Sequence, residues 1–139
     1  MYTRNKVSVL LIAKSLMLVL IAGCATTVHF PVSSELPAAD LTAKIRSDDN
    51  NNYHIDLKAK HLAGPERLSP SKDIYLVWLV TEDGEYQNLG MLSGDRAKKG
   101  GLETVTPLKP ERIIVTAEKD SDLREPGKHV IFESKTLNL

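Results

Sequence analysis

Tyr53-His54-Ile55-Asp56-Leu57-Lys58-Ala59-Lys60 alternates apolar and polar side chains over eight consecutive residues. Neighbouring side chains of a strand point to opposite faces, so this period predicts a strand with one buried and one wet face. Just upstream, Leu41, Ala43 and Ile45 alternate with Thr42, Lys44 and Arg46, and the polar run Asp48-Asp49-Asn50-Asn51-Asn52 separates the two segments. Downstream, Ile74-Tyr75-Leu76-Val77-Trp78-Leu79-Val80 is continuously apolar and rich in β-formers. A run that short predicts a central strand covered on both faces.

Asp83-Gly84 supplies a hairpin turn, after which Glu85 to Leu92 returns. Leu102 to Val105, Ile113 to Glu118 and His129 to Phe132 complete the set. Turns are marked by Ser93-Gly94-Asp95, Gly100-Gly101, Pro107 to Pro110, Asp120-Ser121-Asp122 and Glu125-Pro126-Gly127. No segment carries a convincing amphipathic helical period. About seven short strands with regular turn signals predict an all-β chain, an immunoglobulin-like β-sandwich of antiparallel strands. Trp78 falls where such sandwiches keep a core aromatic.

The domain is expected to span residues 41–139. Before it, residues 25–40 are small, polar and proline-containing, which reads as a tether, with Val28 and Phe30 able to pack on the domain. Earlier still, Arg4 and Lys6 precede an apolar run interrupted by Lys14 and ending in small residues. That pattern reads as a secretory signal peptide over residues 1–23. It is too short and too interrupted for a transmembrane helix, which wants about 20 apolar residues.

The end of that run, Ile21-Ala22-Gly23-Cys24, holds the only cysteine of the chain and resembles the lipobox of bacterial lipoproteins. The resemblance implies a diacylglycerol on the Cys24 sulfur, cleavage before Cys24, and fatty acylation (a palmitate-type chain) of the new amine. Cys24 would then be the membrane anchor. Ala25 stands where an aspartate holds many lipoproteins in the inner membrane. The implied location is the periplasmic face of the outer membrane.

Removing residues 1–23 takes Arg4, Lys6 and Lys14 from 18 basic residues and none from 18 acidic ones, leaving 15 against 18, net −3. Such a balance offers no basic stripe for nucleic acid, and Lys98-Lys99 beside Gly100-Gly101 reads as a solvated loop. Without a second cysteine, the domain must be held by its apolar core alone.

Tyr75-x-x-Trp78-Leu79-Val80, Gly84, Asn88-Leu89-Gly90-x-Leu92, Ile114-Val115-Thr116-x-Glu118 and Pro126 resemble the extracytoplasmic C-terminal domain of anti-sigma-K-type factors. The resemblance covers residues 74–127 and implies a small β-sandwich outside the cytoplasmic membrane. The family's sigma-binding helical domain and transmembrane helix have no counterpart in the residues here, so only the outer sensing or interacting module carries over.

Catalytic and metal signals are weak. His29, His54, His61 and His129 are dispersed, and His54 with Asp56 gives two ligands where zinc takes three or four. Asp48 to Asn52 offers oxygen atoms for calcium but lacks the spacing of an EF-hand. No G-x-S-x-G elbow occurs, and the glycines open no phosphate-binding helix. Tyr75 and Tyr86 are the candidate ligand contacts. The expected function is therefore a lipid-anchored, non-enzymatic binding or structural module of the bacterial envelope, without cofactor or metal. Its partner would be an envelope protein or a cell-wall component. The alternative is an extracytoplasmic sensor or regulatory module acting on a membrane partner.

Overall fold

The computed structural model describes residues 24–94 and 100–139. The expected signal peptide, with Ile21, Ala22 and Gly23, lies outside the described residues, as does Lys98-Lys99. Nine strands run through the described part: β1 Ala25–His29, β2 Asp40–Ser47, β3 Tyr53–Lys60, β4 Ile74–Val80, β5 Tyr86–Met91, β6 Ser93–Gly94, β7 Gly100–Thr106, β8 Arg112–Glu118 and β9 Val130–Glu133. A 3₁₀ turn at Pro65–Arg67 is the only helical element among the described residues.

The strands form two antiparallel sheets, β1-β2-β3-β7-β6 and β5-β4-β8-β9. The chain is all-β and folds as a sandwich. The order β2-β3-β7-β6 opposite β5-β4-β8-β9 follows the Greek-key arrangement of immunoglobulin-like domains. All seven expected strands are present; β1 and the two-residue β6 are additional.

The period-two segments supply the core between the sheets. Leu41, Ala43 and Ile45 of β2 sit in register with Ala59, Leu57 and Ile55 of β3. They face Tyr75, Val77 and Leu79 of β4 and Ile113, Val115 and Ala117 of β8. Full burial of each leucine, isoleucine or valine stabilises the fold by about 1.5–3 kcal/mol before entropy is charged.

β4 is covered on both faces, as its unbroken apolar run predicts. The alternate residues Leu76, Trp78 and Val80 build a second cluster with Ile114, on the side of the four-stranded sheet turned away from its partner. Leu123, from the connection between β8 and β9, packs against that cluster. Trp78 is thus fully buried, but outside the inter-sheet core where it was expected.

Residues 25–40 are not the tether that their composition suggests, but part of the sandwich. β1 pairs with β2 along its whole length, from Ala25 opposite Arg46 to His29 opposite Thr42. Phe30 meets Phe132 edge to face, with centroids 6.4 Å apart, and Phe30, Leu36 and Ala39 join the core. Within the loop, the Leu36 N–H donates to Ser33 Oγ at 3.2 Å. Val28 and Phe30 are the two residues of this segment that the sequence marks as able to pack. Between them they add an edge strand and close one flank of the sandwich.

Candidate functional site

Cys24 is exposed and directly precedes β1. Its position divides the sandwich into two ends. At the Cys24 end lie the β2–β3 hairpin (48–52), the β4–β5 hairpin (81–85), the β7–β8 connection (107–111) and the chain end after β9. At the far end lie the β1–β2 loop (30–39), the β3–β4 loop (61–73) and the β8–β9 connection (119–129). Asp48 to Asn52 therefore sits beside Cys24, whereas Asp120 to Gly127 and Gly100-Gly101 at the start of β7 lie opposite.

Asp48 organises the hairpin nearest Cys24. Its Oδ1 accepts the N–H groups of Asn50 at 2.8 Å and Asn52 at 3.0 Å, and its Oδ2 lies 3.0 Å from His54 Nε2. The His54 hydrogen bond, followed by the Asn52 N–H, holds the Asp48 carboxyl down at about 2. Asn51 takes the left-handed conformation (φ 61°) that asparagine tolerates at a turn. The carboxylate is thus engaged in closing the hairpin, which is the polar-loop reading of this run.

The loops of the far end are fastened by side chains. Asn88 Nδ2 donates to the carbonyls of Ser121 and Leu123, both at 3.0 Å, drawing the β8–β9 connection over Trp78. Asn88 Oδ1 accepts the N–H of Gly90 at 2.9 Å. Gly90 has φ 121° beside a bulge in the β4–β5 pairing, a backbone that disfavours any side chain. Buried Glu118 accepts the Gly127 N–H at 2.7 Å. His129 Nε2 meets Glu35 Oε2 at 2.6 Å, joining the β8–β9 connection to the β1–β2 loop. These fasteners make the far end a preorganised loop surface, and loops on a rigid frame are where recognition is usually placed.

Tyr75 and Tyr86 are separated by the fold. Tyr75 is 4% exposed, and its hydroxyl donates to the Ala63 carbonyl at 2.8 Å. Burial, reinforced by the charges of Glu66 and Glu35, pushes its phenol up to about 12. It faces the core and pins the β3–β4 loop. Tyr86 is 44% exposed at the start of β5, on the opposite face of the sheet and near the other end. The two do not form one ligand surface.

The histidines are equally dispersed, His54 serving Asp48 and His129 serving Glu35. Among the described residues no three His, Cys, Asp or Glu side chains are placed to share a metal ion. Two of the shallow grooves that the described residues line carry several charged side chains each. One, of about 360 Å³, runs over the wet face of the larger sheet between Lys44, Arg46, His54, Asp56 and Glu103. The other, of about 440 Å³, lies at the Cys24 end between Glu82, Asp83, Leu108, Glu111 and Leu137. Charged side chains commonly guard sheet edges against pairing with another chain; Lys58 and Lys60 do not, since β3 lies inside its sheet between β2 and β7. Lys128 and Lys135 do flank the edge strand β9.

Asn88, Glu118 with Gly127, and the His129–Glu35 pair are residues that sequence reasoning passed over as functional. Only Asn88 carried a local signal, a polar residue ahead of Leu89-Gly90 in an otherwise strand-like segment. No protein-family model matches the chain, and neither a curated protein nor a solved structure matches it.

Proposed function

We propose that this chain is a bacterial envelope lipoprotein whose sandwich acts as a non-catalytic binding or structural module, anchored by lipid on Cys24. The observation that carries the reading is the coincidence at Cys24. The only cysteine ends an apolar leader in the lipobox-like Ile21-Ala22-Gly23-Cys24, and the first described strand, β1, begins with the very next residue and is paired into the sandwich. Cleavage before Cys24 would remove the apolar leader and leave every described strand of the sandwich in place. A sulfur-linked diacylglycerol supplies two acyl chains, enough for stable attachment where one is marginal.

The fastened loops of the far end are the surface best prepared to meet a partner, an envelope protein or a cell-wall component. Ala25 in the position after Cys24 favours the periplasmic face of the outer membrane. The test is fractionation of cells expressing the full chain and its Cys24→Ser variant. The native chain is expected with the outer membrane and the variant in the unprocessed or soluble pool. Native-like membrane attachment of the variant would sink the reading. Crosslinking of the native chain in membranes then separates a cell-wall or outer-membrane partner from an inner-membrane regulator, the latter matching the resemblance to anti-sigma-factor outer domains.

A further inference from the structure

We infer that the Cys24 end of the sandwich lies against the lipid surface and that the far end is held away from it, without a flexible stalk between anchor and domain. The inference rests on the lipid anchor proposed above and adds an orientation to it. Cys24 is followed at once by Ala25, which is already paired with Arg46. Consecutive Cα atoms are about 3.8 Å apart, so no spacer intervenes between the anchor and the sheet. β1 is not free to peel away and serve as one, because Val28 packs on the core and Phe30 is buried in it.

The strands then set the depth scale. β2 runs eight residues from Asp40 to Ser47, which at about 3.4 Å per residue separates the two ends by about 27 Å. Acidic and basic side chains mix at the Cys24 end, where Asp48, Asp49, Glu82, Asp83 and Glu111 stand with Arg46, Lys109, Arg112 and Lys135. That end therefore offers no wholly basic patch to draw it to anionic headgroups. The contact is one that the anchor imposes rather than one that charge attracts, and a zwitterionic membrane is its proper probe.

The experiment uses the full chain, matured in cells and acylated at Cys24, carrying either Asp49→Cys or Ser71→Cys. Both positions are exposed, the first in the β2–β3 hairpin and the second in the β3–β4 loop. Each leaves a single free thiol for a donor dye. In phosphatidylcholine vesicles bearing a headgroup acceptor, energy transfer is expected to be severalfold stronger from position 49 than from position 71. About twelve Gly and Ser residues inserted after Cys24 add a reach of about 19 Å and are expected to erase most of that difference. Equal or reversed transfer in the uninserted, acylated protein overturns the inference while leaving the anchor intact. The mass of the same samples reads the anchor separately, and chains without lipid overturn the anchor and the orientation together.

Discussion

Trp78 donates its indole Nε1–H to the Thr116 hydroxyl at 2.9 Å, and both residues are fully buried. Thr116 sits one diagonal step away on β8, since Trp78 itself stands opposite Ile114. The pair lies on the outer side of the four-stranded sheet, beneath Leu123. An indole can be buried there because its one polar atom is satisfied.

Two substitutions separate packing from hydrogen bonding at this pair. Trp78→Ala is expected to cost about 3–5 kcal/mol. Thr116→Val keeps the volume but strands the indole N–H, at a cost of about 1–3 kcal/mol. Urea midpoints measure both. A loss under about 0.5 kcal/mol for Trp78→Ala would mark the indole as a surface residue.

Asn88→Ala removes the two bonds that draw the β8–β9 connection over Trp78. Amide exchange is expected to accelerate in residues 119–129 and to stay unchanged in β2 and β3, because only the local opening is affected. Acceleration throughout the sandwich would instead make Asn88 part of the global fold.

Asp48 gives the β2–β3 hairpin a pH dependence of known sign. Its folded value of about 2 lies below the ordinary aspartate value of about 3.9. The stabilisation is therefore complete above about pH 4 and fades as pH falls toward 2. Amide shifts of Asn50 and Asn52 should follow that titration, and Asp48→Ala should abolish it. A midpoint near 4 in the native chain would show that the carboxylate is not held as described.

Tyr75 works at the other extreme. Its phenol is raised to about 12 in the fold against about 10 in an open chain. Its contribution is intact below pH 10 and is lost as pH climbs toward 12. Tyr75→Phe is expected to lower stability at neutral pH by about 0.5–1.5 kcal/mol through the lost bond to Ala63. The same change should flatten the alkaline decline, which circular dichroism against pH would follow.

The strands were legible where the physics is local. Tyr53 to Lys60 has one apolar and one polar face, and both pairing and burial follow from that alternation. The continuous run Ile74 to Val80 announced a strand covered twice, but an unbroken run does not say which alternate residues face the partner sheet. Hence the burial of Trp78 was legible and its side of the sheet was not. β1 escaped notice because Thr26 and Thr27 dilute its apolar signal and Pro31 and Pro37 suggest loop. Its strand depends on the edge that β2 offers, a non-local cause. Which loops share an end is likewise a property of topology, invisible in composition. Asn88 and His129 act on backbone and side chains 33 and 94 residues away in the chain, and no short window holds both partners.

The central claim is the anchor, and the mass of the mature protein extracted from membranes tests it most directly. The mature chain is expected to begin at Cys24, carrying a diacylglycerol on sulfur and a fatty acyl group on the new amine. A chain that retains residues 1–23, or one cut at another bond with a free Cys24 thiol or none, would contradict it.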